Sequence, residues 1–274
     1  MTRSVPPASS VPSVVATDLD GTIVRSDGTI SPRTRDALGL ATAAGATVVI
    51  VTGRPPRWMH DIAVQTGHRG LAVCANGALV YDLETETIVE THPLGVDVAR
   101  SLVESLRAEI PGLGFAVETV DSQFGHEPAY RPRWSTDGAI VADLETLLSA
   151  PLAKLLARHE GLDSDELLRR ARAVVGESVA TMTHSSRDGL LEISAAGISK
   201  ATTLASVVAR SGRAASDVVA FGDMPNDLPM LAWAGQSVAV ANAHPEVLAV
   251  VDEVTASNDD DGVAIVLERL YGPC

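Results

Sequence analysis

Two aspartates one residue apart, Asp18 and Asp20, close the stretch VVATDLDGT that runs from Val14 to Thr22. Val14, Val15 and Ala16 ahead of them are the apolar run of a buried strand, and side chains at i and i+2 of an extended chain point to one face. Two carboxylates leaving one strand end together repel, and one keeps its proton unless something offsets the charge. A hard cation such as Mg²⁺ does so, because it takes a few carboxylates together with waters and phosphate oxygens. Gly21 lets the backbone turn sharply just past the pair. Taken alone, the same pattern also describes a strand running into an ordinary acidic turn.

Two more strand ends carry polar groups beside a glycine. TVVIV, Thr47 to Val51, ends in Thr52-Gly53-Arg54, and DVVAF, Asp217 to Phe221, ends in GDMPND with Asp223 and Asp227. Ligands of open α/β sheets bind outside the carboxyl ends of the strands, so three such ends suggest one shared site. Asp223 could complete a cation cage opened by Asp18 and Asp20, and Asp227, four residues on, could orient it. The chain has only two lysines, Lys154 and Lys200, among 21 basic residues. Lys200, at the start of a helix in GISK, marks a place where a compact point charge is wanted or else a solvated surface position. Lys154 is read as a solvated surface lysine. Arg54 could reach a substrate anion or pair with a carboxylate; Asn76 could face the site or serve as a turn residue.

The elements that must hold these groups alternate. Ser31-Pro32 opens a helix that stops at Gly45, and Pro55-Pro56 opens another after the second strand. Leu71 to Cys74 is a third strand, and Asn76-Gly77 is a hairpin signal with partner strands at Ala78 to Tyr81 and Thr87 to Glu90. Strand and helix in turn mean a parallel sheet with crossovers. The middle reads differently. Val96 to Ile110 is an amphipathic helix, Phe115 to Val120 a strand, and 121–137 a polar loop. The first pattern resumes with strand 190–193 and helix 198–210. The expected fold is therefore a doubly wound parallel-sheet α/β core, 13–82 plus 190–274, interrupted by an inserted α/β block, 83–189, and preceded by a loose tail, 1–12. The acidic run Asp259 to Asp261 reads as a solvated loop.

Composition narrows the function. The 274 residues carry a formal charge of −14 and are 46% hydrophobic but only 3% aromatic, so the core is built from Ala, Val, Leu and Ile. Such a negative field argues against nonspecific binding of nucleic acid or an anionic membrane, and an anionic substrate would need a locally positive site. Cys74 and Cys274 fit no metal spacing or disulfide framework, which suits a reducing cytoplasm. There is no signal-peptide stretch and no transmembrane run. The seven histidines lack metal-ligand spacing. Ser185 and Ser186 lack a nucleophile elbow, and the P-loop pattern is absent.

The segments VVATDLDGT, VIVTGR, Lys200 in ISKATTL, and FGDMPNDLPML resemble, in order, the four signature motifs of the haloacid dehalogenase-like (HAD) phosphohydrolases. The inserted block, the Asn76-Gly77 segment and LLEISAAGISK resemble the Cof-type branch of that superfamily, over about residues 12–270. The resemblance implies a Rossmann-like HAD core with an inserted cap. It also implies Asp18 as a nucleophile that forms an aspartyl-phosphate, and Asp20 as general acid and then base. Thr52, Gly53 and Lys200 would hold phosphoryl oxygens. Mg²⁺ would sit on the Asp18 carboxylate, the Asp20 backbone carbonyl and Asp223, with Asn226 and Asp227 in support. The cap loop from Phe124 to Trp134 matches no motif. The expected activity is Mg²⁺-dependent hydrolysis of small phosphorylated metabolites such as sugar phosphates. The alternatives are transfer of the phosphoryl group to a sugar hydroxyl, or ligand binding without catalysis.

Overall fold

Apolar runs and amphipathic segments alternate from the first strand onward. The computed structural model describes residues 11–134 and 136–273; the expectations for 1–10 of the tail and for Cys274 lie outside them. The chain begins β1 (Val14–Thr17), α1 (Pro32–Ala43), β2 (Thr47–Val51), α2 (Met59–Thr66) and β3 (Leu71–Cys74). Ser31 caps α1 by accepting from the Thr34 amide at 3.0 Å, with Pro32 at the first helical position. There follow β4 (Leu79–Asp82), β5 (Thr87–Thr91), α3 (Val96–Glu109), β6 (Gly114–Thr119), β7 (Phe124–His126), β8 (Ile140–Val141) and α4 (Leu144–Leu147). Next come β9 (Leu152–Arg158), α5 (Ser164–Val174), β10 (Ala180–Thr183) and β11 (Leu190–Ala195). The chain closes with α6 (Lys200–Arg210), β12 (Val218–Gly222), α7 (Leu228–Trp233), β13 (Gln236–Ala239), α8 (Pro245–Leu248), β14 (Glu253–Val254) and α9 (Gly262–Tyr271).

The strands form two sheets. An eight-stranded sheet has the order β14-β13-β12-β1-β2-β3-β4-β5, and a six-stranded sheet the order β10-β11-β9-β6-β7-β8. In the larger sheet β14 through β3 run parallel and β4 and β5 return antiparallel. Its central strand β1 pairs in parallel with β12 and β2, Val14 lying opposite both Val218 and Thr47. That register brings the carboxyl ends of β1, β2 and β12 side by side, so residues more than 200 positions apart in sequence meet. The central parallel strands β1, β2 and β12 are buried on both faces, as continuous Val/Ile runs require.

Sheet membership moves both expected boundaries of the insertion. β5, expected beyond the break at 83, extends the larger sheet, while β11, expected in the core from 190, pairs with β9 and β10 in the smaller one. The hydrophobic pattern could not assign them, because a strand looks alike whichever sheet receives it.

The smaller sheet puts a charged face toward the larger one. With side chains alternating along a strand, Leu155 and Ala157 of β9 and Leu191 and Ile193 of β11 join the helix-side core. The opposite face carries Glu118 of β6, Lys154 and Arg158 of β9, and Glu192 of β11, each 3–4% exposed. Lys154 is thus not a surface lysine. The acidic run near 260 is also more than a solvated loop, since Asp259 accepts from the Ser26 amide at 2.8 Å and Asp261 pairs with Arg25 at 2.7 Å.

Candidate active site

Asp18 stands just past β1, 5% exposed, its amide bonded to the Phe221 carbonyl at 3.1 Å. Lys200, the first residue of α6 and 1% exposed, places its Nζ 2.7 Å from Asp18 Oδ1 and 2.7 Å from Asp227 Oδ1. Burial disfavours the ammonium charge, but the two carboxylates outweigh it and hold the lysine above its ordinary range. Asp227 spends its second oxygen on the amides of Asp223 and Met224, at 3.0 Å each. It therefore positions both Lys200 and the turn that carries Asp223. The start of α6 is fixed in turn by Gly77, at φ +103, where a Cβ would collide with the Ser199 carbonyl, and by the Thr203 hydroxyl donating to the Gly77 carbonyl at 2.8 Å.

Asp223, 5% exposed, accepts from the Thr22 hydroxyl at 2.7 Å. Gly21 lies beneath it at φ +79, and any side chain there would strike the Asp223 carboxylate. Burial, reinforced by the neighbouring Asp227 charge, lifts the Asp223 carboxyl to about 7. Burial likewise raises Asp18 well above the ordinary carboxyl range, Asp227, Asp223 and Asp20 adding to it and Lys200 opposing. Oxygens of Asp18, Asp223 and Asp227 lie within 4.8 Å of one another. Three carboxylates and one ammonium leave two negative charges unbalanced, which is what a divalent cation offsets, and the donors are the hard oxygens that Mg²⁺ prefers. The residues therefore fit a Mg²⁺ site. Asp227 is a poor ligand within it, because both its oxygens are already engaged.

Asp20 is placed differently from Asp18. Its side chain is 56% exposed, and Arg54 grips both oxygens, Nε at 2.8 Å and Nη2 at 2.5 Å. Arg54 thus pairs with a carboxylate and also lines the cavity. Thr52 is fully buried at the end of β2, its hydroxyl accepting from the Arg54 amide at 3.0 Å. Gly53 lines the same cavity as Asp18 and Asp20. Asn76, 3% exposed, sits in a left-handed backbone turn at φ 56 and accepts from Asn226 Nδ2 at 3.1 Å. Asn226 lines the cavity and Asn76 stands behind it.

The cavity, of about 270 Å³, lies between the two sheets. Its far side contains groups the sequence reading did not select. Lys154 Nζ donates to Glu192 Oε1 at 2.6 Å and to the Gly53 carbonyl at 2.9 Å, tying the smaller sheet to the loop after β2. Arg57, ahead of α2, pairs with Glu118 across the same gap, Nη2 to Oε1 at 2.8 Å. Arg158 and Trp134 complete that wall. The signal that could have found them is a charge inside an otherwise apolar strand, as in LAKLLAR and LLEIS.

The two-sheet architecture with a buried Asp–Lys–Asp cluster at the strand ends defines an α/β Rossmann-like core carrying a cap. The family model for haloacid dehalogenase-like hydrolases matches residues 15–267, and the chain belongs to that family. It is 32% identical over 270 residues to the pyridoxal phosphate phosphatase YbhA of Escherichia coli, covering 92% of this chain and 96% of the relative. It is 28% identical over 267 residues to the 5-amino-6-(5-phospho-D-ribitylamino)uracil phosphatase YitU of Bacillus subtilis, covering 95% and 98%. Among solved structures, a haloacid dehalogenase-like hydrolase from Bacteroides thetaiotaomicron superposes with TM-score 0.76 at 26% identity, covering 95% of this chain and all of that one. The chain is accordingly a phosphoric monoester hydrolase of the superfamily. No helix among the described residues is long and apolar enough to cross a membrane.

Proposed function

We propose that the protein hydrolyses small phosphorylated metabolites through a phosphoryl-enzyme intermediate on Asp18, with Mg²⁺ as cofactor. The observation that carries this reading is Lys200 held 2.7 Å from both Asp18 and Asp227, beside Asp223, with Asp18 itself lining the cavity. The relatives named for pyridoxal phosphate and for 5-amino-6-(5-phospho-D-ribitylamino)uracil support a phosphorylated small molecule as the substrate class.

Hydrolysis of a phosphate monoester is among the slowest reactions in water, so the site must supply very large stabilisation. In this reading an Asp18 carboxylate oxygen bonds to phosphorus as the ester oxygen leaves, and Asp20 gives that oxygen its proton. Asp20, now ionised, then takes a proton from water as the water oxygen attacks phosphorus, which releases inorganic phosphate and restores Asp18. Splitting the reaction in two lowers each barrier. Arg54 sets the orientation of Asp20, and Asp20 must give up one of its two bonds to Arg54 to reach the ester oxygen. Lys200, with Thr52 and Gly53, bears on the phosphoryl oxygens. The Asp18 and Asp223 carboxylates and the Asp20 carbonyl would hold Mg²⁺, which supplies positive charge against the transferring phosphoryl group.

The test is phosphate release from a panel of phosphomonoesters with Mg²⁺, run beside Asp18→Asn. The variant should fold normally and show no turnover; near-normal release would remove Asp18 from its role. Negligible phosphate release without an acceptor, together with recovery of the phosphoryl group on an added sugar, would make the enzyme a phosphotransferase instead.

A further inference from the structure

We infer that Lys154 of the cap is a positioning residue for the reaction: by holding the Gly53 carbonyl it fixes the Gly53–Arg54 peptide, and with it the Thr52 hydroxyl and the Arg54 grip on Asp20. This rests on the phosphatase reading and adds to it a group that acts through the loop after β2 rather than on the substrate.

Three consecutive carbonyls follow β2. The Thr52 carbonyl accepts from the Asn76 amide at 3.0 Å and the Arg54 carbonyl from the Ala75 amide at 2.9 Å, so the core's own turn holds the first and the third. The carbonyl between them, that of Gly53, accepts from Lys154 Nζ at 2.9 Å. The same peptide presents the Arg54 amide to the Thr52 hydroxyl at 3.0 Å. A peptide unit is a rigid plane, so a hold on its carbonyl also aims its N–H. Gly53 has no Cβ to restrain that plane. If it swings, the Thr52 hydroxyl loses its donor, and the Arg54 side chain that holds both Asp20 oxygens moves with it.

The lysine is itself fixed. Its side chain is 6% exposed, with Nζ 2.6 Å from Glu192 Oε1. Leu156 pairs in register with Glu192, which makes Lys154 the diagonal neighbour of Glu192 on one face of the smaller sheet. The Ser185 and Asn76 side chains also bear on the Glu192 carboxylate, and Asn76 accepts from Asn226, in the turn between Asp223 and Asp227. A Cβ on Gly53 would come within 3.1 Å of Asn76 Oδ1 and 3.6 Å of Glu192 Oε1, so the loop packs directly between a core asparagine and a cap glutamate. An apolar contact would hold cap to core at less cost than a buried ion pair. A buried ammonium spent on one backbone carbonyl of the catalytic loop sets a direction as well.

The experiment pairs Lys154→Met with Glu192→Gln, removing both charges together so that neither is left buried alone. A second double variant, Lys154→Gln with Glu192→Gln, has the same charge and nearly the same side-chain length but keeps an N–H donor at 154, and it serves alone if the first folds poorly. Each is assayed with Mg²⁺ on p-nitrophenyl phosphate, benzyl phosphate and glucose 6-phosphate, whose leaving groups share little. The methionine double variant should keep a Tm near that of the wild type yet lose roughly 10- to 100-fold in kcat on all three esters, with KM within about 3-fold. Inhibition by orthovanadate, whose five-coordinate form resembles the phosphoryl group in flight, should weaken by a similar factor. The glutamine double variant should show the same pattern with a smaller loss. A loss that falls on KM, or that differs from ester to ester, would make Lys154 a substrate contact and overturn the inference. So would wild-type kcat in either double variant, or equal losses in the two. All of these leave the phosphatase reading standing. No phosphate release from any ester by the wild type would sink that reading. Vanadate binding, followed as a Tm shift, then decides the inference: a weaker shift in the double variants supports the hold on the loop, and an unchanged one overturns it.

Discussion

Lys154→Met should destabilise the protein by about 3–5 kcal/mol, and combining it with Glu192→Gln should recover much of that loss. The two charges lie 2.6 Å apart, with side chains only 6% and 3% exposed. At an effective dielectric of about 20 their attraction is roughly 6 kcal/mol, and taking two ions out of water offsets most of it, so the pair as a whole contributes little. Removing one partner is different, because a buried charge is left facing no opposite charge. The pH dependence sharpens the test. Burial works against the ionised form of Glu192, but Lys154 outweighs burial and holds this carboxyl below its ordinary range. In the wild type the pair therefore adds stability above the glutamate's unfolded pKa, and that stability fades as pH falls through the depressed value. In Lys154→Met burial, the largest influence, is opposed only by hydrogen bonds from Ser185 and Asn76 and raises the carboxyl, so the penalty grows as pH rises above the unfolded value. Urea titrations of the four proteins at pH 5 and pH 8 measure this as shifts in midpoint at constant m. A Lys154→Met loss below 1 kcal/mol that ignores pH, or single losses that simply add in the double variant, would refute the coupling.

Mg²⁺ at about a hundred times its Kd should raise stability by roughly 2.7 kcal/mol, visible as a higher Tm in a thermal scan, and Asp223→Asn should abolish the shift; a wild-type Tm indifferent to Mg²⁺ would count against the site. His68 offers a pH effect away from the cavity. Burial holds its imidazole down to about 4, and its Nε2 has no partner. The unfolded chain thus binds the proton first, and stability should drop by roughly 2 kcal/mol between pH 7 and pH 5. His68→Leu should flatten that part of the profile; an unchanged slope would show that another group carries it.

The legible part of the fold was the part written in long uniform runs. VVAT, TVVIV and VVAFG are apolar at nearly every residue, as central parallel strands must be, and each stops at a polar tip, so the strand ends and the groups they present could be read together. Lys200 stood out only because the chain otherwise prefers arginine. The cap wall was hidden for the opposite reason. Its strands carry charges whose partners lie on other strands, and nothing in LAKLLAR says that Lys154 meets Glu192, 38 residues later. A lysine is exposed by default, and only the cross-strand register, a tertiary fact, reverses that expectation. Asp20 shows a similar limit. Strand periodicity set it beside Asp18, whereas the chain leaves the strand at Thr17, and Arg54 then decides where the carboxylate points.

The charge pattern also explains how a protein of formal charge −14 can capture an anion. Around the cavity the arginines and lysines are matched to acids: Lys200 to Asp18 and Asp227, Arg54 to Asp20, Lys154 to Glu192, Arg57 to Glu118, Arg158 to Asp188. Such pairs fix side chains in place but leave little net field to draw in a dianion. The balance is broken where Lys200 alone faces Asp18, Asp227 and the nearby Asp223, whose carboxyl is lifted to about 7 by burial and by Asp227. A divalent ion on Asp18 and Asp223 would neutralise the most negative corner beside the cavity and remove its repulsion of a dianion. In the proposed reading, metal binding and phosphate binding would be one electrostatic event, and the buried ion pairs of the cap would hold its shape rather than attract the substrate.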